Sequence, residues 1–230
     1  KNKSLAGSDL SGASFLLANL SGVNLSNVIL DATNFLQADL SGVDFTVTSK
    51  TSYHGTMFNE ANLSNSNFEG VNLSPAEAKT ITFKNMAHLK QETVSFYHNR
   101  DLVVELFGPG YDNIHIFSTE VNGNDLAVNY VIFNNFSQAN LENVNFKNAG
   151  LWFVDFYSAN LTNADLSGAD LRKGLLVNAN LSGADLSGAN LSGVNLSDAN
   201  LSGANLSDVV YDPYTILKCV GHDICEANGS

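Results

Sequence analysis

Ala184-Asp185-Leu186-Ser187-Gly188 is one copy of a five-residue frame: a small residue, Asp or Asn, Leu or Phe, Ser, then Gly, Asp or Asn. Its third position stays apolar at every fifth residue from Ile116 through Val121, Leu126, Val131, Phe136 and Leu141 to Leu206 and Tyr211. A period of five matches neither a helix face at 3.6 nor a strand at two. It matches a chain that turns a corner every five residues and stacks on itself. If the central Leu or Phe and the small residue two before it point inward, the other three face water, and Ser and Gly make the bend. Four such units make a coil of twenty residues, and successive coils stack at about 4.8 Å with their backbone groups paired. No coil can bury its apolar side alone, so stability comes from its neighbours.

The repeated A-(D/N)-L-S-G frame resembles the pentapeptide repeat proteins. That resemblance implies an all-β fold, a right-handed quadrilateral β-helix, over about three quarters of the chain. It implies no chemistry, because the family shares a scaffold.

The same period occupies residues 1–45 in a first phase, from Leu5 to Phe45, and resumes three positions out of phase as Tyr53, Phe58, Leu63, Phe68 and Leu73. The slip over Thr46–Ser52 reads as a surface bulge. No polar cap precedes Leu5, so either upstream residues have been removed or this end meets a partner, with self-association as one outcome. There is no initiating Met or basic-then-apolar leader, which reads as a mature or trimmed chain.

The expected organisation is an N-terminal β-helix over 1–73, an insertion over 74–115, a second β-helix over 116–211 and a cap over 212–230. Ser74-Pro75-Ala76-Glu77 is a capping box that predicts a short helix. A second is expected from Asn99 to Phe107, before Gly108 and Pro109. Ile81-Thr82-Phe83 fits either one more repeat or a strand. After Asp212-Pro213, the apolar residues Tyr214, Ile216, Leu217, Val220 and Ile224 read as a terminal plug.

Counting by twenty, Ile132 and Phe133, Trp152 and Phe153, and Arg172 with Lys173 fall in one outward column where other copies carry Ser, Gly, Asn or Asp. With Tyr157 they make a candidate patch, either covered by the insertion or open to a partner. Leu16, Leu17 and Leu36 form a smaller one.

The 230 residues carry a net charge of −12. That balance argues against a nucleic-acid surface, and no run of about 18 apolar residues predicts a membrane span. Cys219 and Cys225, with five residues between them, read either as a disulfide in an oxidising compartment or as two free thiols in the cytosol. The resemblance extends to relatives in which a disulfide-linked terminal cap closes the β-helix. The localisation expected is therefore extracellular, periplasmic or lumenal, with cytoplasmic as the alternative.

No catalytic constellation, cofactor motif or metal-ligand spacing stands out. Serines sit at corners, the Asp residues alternate with Asn on a wall, and His88, His98 and His115 match no ligand pattern. Thirteen Asn-x-Ser/Thr sequons, Asn160 and Asn180 among them, follow automatically from the frame. A non-enzymatic structural or interaction scaffold, with a protein partner and no cofactor, is the expected function. The alternative is a DNA-mimicking inhibitor or protector of a type II topoisomerase, an activity known in the family. Nine acidic and three basic residues over 116–211 amount to roughly one net charge per 4 Å of coil axis, against one per about 1.7 Å in DNA.

Overall fold

The corner explains the coil. Leu181, Ser182, Gly183 and Ala184 form a turn in which the Ala184 N–H donates to the Leu181 carbonyl at 3.0 Å, and Gly183 has φ +69°. A positive φ at the third residue is the type II pattern and suits Gly or Asn. Accordingly Asn143, Asn148, Asn163 and Asn178 take the same position with φ between 54° and 58°. The bridge residue before each centre braces the turn through its side chain, as Asn180 Oδ1 accepts the Ser182 N–H at 3.2 Å.

In a computed structural model, residues 4–46, 53–74, 79–84 and 114–225 are described. The chain divides into two compact units: Lys1–Ser74 with Asn134–Ser230, and Pro75–Phe133.

The first unit is a β-helix. Parallel bridges join residues twenty apart, from Ser4 with Asn24 onward. Each centre donates upward and each bridge residue downward, as in Leu181 N–H to Asn200 O at 2.8 Å and Asn200 N–H to Ala179 O at 2.9 Å. Centres and small residues form one continuous core, with Leu166, Leu186 and Ala184 fully buried. Phe15, Phe35, Phe58, Phe136 and Phe156 stack in one column at centroid spacings of 4.7 to 5.3 Å. A second aromatic column, Phe45, Phe68 and Phe146, packs edge-on against it. At about 1.5 to 3 kcal/mol per buried side chain, this core is the main stabilising contribution.

Asparagine ladders run outside. Asn140 Nδ2 donates to Asn62 Oδ1, Asn160 to Asn140 and Asn200 to Asn180, at 3.0 to 3.1 Å.

Three steps depart from twenty. Asn34 pairs with Met57, a step of 23; Met57 pairs with Asn135, a step of 78; Asn195 pairs with Ile216, a step of 21. The first absorbs the slip expected at 46–52, whose residues 47–52 lie outside the described ones. Tyr53 returns inward there, 4 % exposed, with its hydroxyl donating to Phe45 O at 2.9 Å. Burial, and secondarily Asp44, pushes its phenol upward.

The second departure corrects the expected boundaries. Residues 116–132 are strands, not coil. β1 (Lys79–Phe83), β2 (Ile114–Asn122) and β3 (Asp125–Ile132) form an antiparallel sheet in the order β1-β3-β2. The five-residue spacing of Ile116, Val121, Leu126 and Val131 does not mark coil here: Val121 pairs with Leu126 across a hairpin, and in β3 Leu126 and Val128 are buried at a spacing of two. None of those centres has Ala, Val or Gly two positions before it, the residues found there in most coil copies. The hairpin turn is Gly123-Asn124, with positive φ at Gly123 alone, the II′ arrangement. Of the two readings for Ile81–Phe83, the strand is observed. Pro75–Glu77 and the stretch 99–107, where helices are expected, lie outside the described residues.

The third departure corrects the plug. After Asp212 the backbone keeps laddering, with Ile216 and Val220 above Asn195 and Asn200. Both occupy outward bridge positions and are exposed, as is Tyr214. Only Leu217 enters the core, with Ile224, Cys219 and Cys225 packed against it. Cys219 and Cys225 form a disulfide with Cα atoms 5.0 Å apart, and Asp223–Cys225 make a 3-10 turn.

Asn134 closes the coil where the insertion leaves and returns. Fully buried, it donates from Nδ2 to Leu73 O at 2.6 Å and accepts the Thr56 N–H on Oδ1 at 2.8 Å. Asn134→Leu should destabilise by about 2 kcal/mol, because both partners lose a buried bond, and denaturant unfolding measures it. The step of 78 also makes a sharper expectation. Replacing 75–133 by one glycine restores a step of twenty with a corner residue that accepts positive φ. The shortened chain should keep one cooperative unfolding transition by circular dichroism.

Candidate interaction site on the coil wall

The corner position after each centre runs up one wall as Ser74, Trp152, Arg172, Ser192 and Asp212. The Trp152 N–H donates to Ser74 Oγ at 3.3 Å. Ser74, not Ile132, is therefore the residue below Trp152, a correction that follows from the insertion step. Ile132 ends β3 and Phe133 follows it.

Beside this line stand Phe153, Lys173 and Gly193. Phe153 has φ 60° and Lys173 φ 56°, in the left-handed region that most other copies fill with Gly, Asn or Asp, though Leu17, Gln37, Glu60 and Gln138 share it. Such conformations cost of order 1 kcal/mol or more for side chains of this kind. Phe153 is 5 % exposed, and Lys173 Nζ lies 5.3 Å from its ring centroid. Trp152 meets Phe153 edge-on at 4.8 Å. Arg172 is locked on Asp170 through Nε at 2.8 Å and Nη2 at 2.7 Å. This pair holds the Asp170 carboxyl below its ordinary range, the Arg172 side-chain bond being the largest cause.

Together these residues shape a cleft of about 640 Å³ lined by Trp152, Arg172, Lys173, Ser192, Gly193, Asp212 and Tyr214. Ser192 and Gly193 are its low floor. A Cβ on Gly193 would sit 3.3 Å from Lys173 Cγ, so the glycine leaves room for the lysine stem. Asp212 Oδ1 accepts from the Gly193 and Tyr214 amides at 2.9 and 3.0 Å and from the Thr215 hydroxyl at 3.1 Å.

Trp152 and Arg172 are thus brought together, while Tyr157, 40 % exposed, stands one corner further along its coil and does not line the cleft. The sequence reading missed Ser192, Gly193, Asp212 and Tyr214. Continuing the count by twenty beyond Arg172 reaches Ser192 and Asp212; the one-residue slip after Asp212 hides Tyr214. Leu16 and Leu17 are exposed on another wall. Among the described residues no group of three or more His, Cys, Asp or Glu could hold a metal. His88 and His98 lie outside them.

The stacked corners and ladders define a β-helical repeat protein. The family model of pentapeptide repeats matches in eight copies, over residues 8–46, 49–74, 135–172 and 175–210, and the chain belongs to that family. No curated protein matches. Among solved structures, a pentapeptide repeat protein from the Arabidopsis thaliana thylakoid lumen is 35 % identical over 33 % of this chain and 49 % of that one, with TM-score 0.27. The chain thus spans about half of that relative. The pentapeptide repeat protein alr5209 from Nostoc PCC 7120 is 36 % identical over 40 % of this chain and 80 % of that one, with TM-score 0.34. QnrB1, a plasmid-mediated fluoroquinolone resistance protein, is 17 % identical over 93 % of each chain, with TM-score 0.31. None of the matches points to a catalytic family.

One wall residue is electrostatically unusual. Asp155 occupies a bridge position between Asn135 and Leu175, where most copies place Asn or Asp above. Burial pushes its carboxyl up to about 6, against the opposing pull of the Tyr157 N–H. An acid raised above its ordinary value of 3.8 favours the fold while protonated. That contribution is full below pH 3.8, falls through the window up to about 6, and is absent above it. Asp155→Asn, the residue at Asn135 and Asn160, should therefore stabilise at pH 7 by on the order of 2 kcal/mol. It should change little at pH 4. Thermal unfolding of both proteins across pH 4 to 8 tests the sign.

Proposed function

We propose that the protein is a non-enzymatic scaffold, wound as the right-handed quadrilateral coil of its family, that holds a protein partner against the Trp152 wall. The observation that carries this reading is the cleft: aromatic and cationic side chains converge at corners that in most other copies carry small or polar residues. Trp, Tyr and Arg dominate interface hot spots, and here a rigid coil displays them at no further ordering cost. The disulfide supports an exported or lumenal setting. The net charge of −12 keeps the topoisomerase reading as a rival, though the wide spacing of that charge weighs against DNA mimicry.

Two measurements test the reading. Affinity capture from the native source should recover a partner with the native chain and lose it with Trp152→Ser combined with Lys173→Asn, while a DNA gyrase supercoiling assay stays unaffected. Stoichiometric inhibition of supercoiling would overturn the scaffold in favour of the mimic. Thiol labelling of protein isolated without reductant should find Cys219 and Cys225 unreactive.

A further inference from the structure

The formal charges of the cleft cancel. Arg172 and Lys173 are matched by Asp170 and Asp212, and Arg172 is held on Asp170 at 2.7 Å. An ionic ligand gains no net attraction from that balance. An extended peptide fares little better, because it takes its affinity from main-chain bonds to a free backbone edge. Here the edge is used. The amides of Phe153 and Lys173 donate to Arg172 O and Ser192 O at 3.0 Å, and those of Arg172, Ser192, Gly193 and Tyr214 donate to the side chains of Asp170, Asn190 and Asp212.

What the cleft offers is side chains. Arg172 spends Nε and Nη2 on Asp170, which leaves Nη1 to donate. Lys173 Nζ lies over the Phe153 ring, a contact that consumes none of its N–H donors. Asp212 takes its bonds on Oδ1, which leaves Oδ2 to accept, and the Ser192 hydroxyl between Arg172 and Asp212 can do both. Half-buried Trp152 stands at one end and Tyr214, 81 % exposed, at the other.

An uncharged ligand that is rich in hydroxyls and flat on an apolar face suits such a lining, and a hexose ring has those properties. Spacing points the same way. Trp152, Arg172, Ser192 and Asp212 stand on successive coils about 4.8 Å apart, and an extended β-linked hexose chain advances by close to that distance per ring. The volume of about 640 Å³ lies in the range of small-ligand sites.

We propose that this cleft binds a neutral β-linked oligosaccharide along the coil axis, about three to four rings at one per coil. Its end rings lie against Trp152 and Tyr214, and its hydroxyls bond to Arg172, Lys173, Ser192 and Asp212. The assignment rests on the scaffold reading and names the chemistry recognised at that wall, a sugar chain carried on the partner protein or presented as free polysaccharide.

The test uses the full chain, in which Trp152 is the sole tryptophan, so its fluorescence reports on the cleft directly. The probes are cellotetraose and chitotetraose, whose β-linked chains are extended, maltotetraose, whose α-linked chain curls, and glucose. An extended tetramer should change Trp152 emission saturably and bind about tenfold or more tightly than maltotetraose or glucose. Its affinity should hold from low to physiological salt, as expected of an uncharged ligand. Tyr214→Ser should weaken it about tenfold. Lys173→Asn, which installs the residue found at Asn163 and Asn178 and so preserves the corner, should weaken it several-fold. The inference fails if neither extended tetramer gives a saturable change, if maltotetraose or glucose binds as well, if Tyr214→Ser leaves affinity unchanged, or if salt abolishes binding. Where the tetramer binds, its competition with partner capture assigns the sugar to the partner, and capture that resists it assigns a free polysaccharide. Failure of tetramer binding leaves partner capture dependent on Trp152, and with it the scaffold reading, intact; loss of that dependence would remove the scaffold reading.

Discussion

The whole coil depends on a turn that must be repeated every five residues with a positive φ at the same place. Once Gly183, Asn163 or Asn178 accepts that conformation, the backbone on either side is free to pair with the coils above and below, and the ladder then pairs almost every wall amide it aligns. The side-chain requirements are correspondingly light. One apolar centre, one small inward neighbour and one Asx brace suffice, because the interior is filled by stacking identical coils rather than by fitting unlike elements together. The cost is that no coil stands alone, and a fault in the turn propagates to both neighbours.

That division of labour explains where the chain can depart from its period. All three irregular steps, of 23, 78 and 21 residues, fall at corners, where residues can be added without breaking a ladder bond. Following each one, an inward small position is polar instead of Ala or Val: Thr56, Asn134 and Thr215. Asn134 donates to Leu73 O at the insertion corner, while Thr56 and Thr215 add a second bond to Leu30 O and Leu191 O, which already accept the Thr33 and Val194 N–H groups. Thr33 does the same for Leu10 O within a regular coil, so the device is general, and the interruptions use it where it is most needed. A buried hydroxyl or amide satisfied in this way stabilises, and at Asn134 an apolar residue would strand the Leu73 carbonyl.

The coil was legible in the sequence because its period is long, uninterrupted and unlike that of a helix or strand. Reading failed where a hairpin happened to space its apolar residues by five. Val121 and Leu126 lie five apart, yet they face each other across a hairpin, and only the missing Ala, Val or Gly two positions before each centre distinguishes that case. The wall site was half legible. Trp152 and Arg172 stand out against Ser and Asn, but the cleft also needs the smallness of Ser192 and Gly193. Concavity formed by small residues between large ones is invisible unless the coil step is known, and the step changes at the insertion and again at Asp212. Asp155 gave no signal, since its raised proton affinity comes from burial, which the Asp of the frame does not reveal.

Where the frame is obeyed, each wall side chain is already committed. Asn180 accepts from Ser182 and donates to Thr162, and Asn200 repeats the pattern one coil higher. Such a surface has few free donors or acceptors and little apolar area, so it is poorly equipped to recognise anything. Recognition must therefore come from positions that break the frame, and those carry a conformational cost that the regular residues avoid. Phe153 and Lys173 carry it in adjacent coils, one above the other, with Gly193 directly above them. Such corners occur on other walls as well, at Leu17, Gln37, Glu60 and Gln138. What sets Phe153 and Lys173 apart is their company, a tryptophan edge-on to the ring and an arginine locked on its own carboxylate, the arrangement expected when strain is retained for what it presents to solvent.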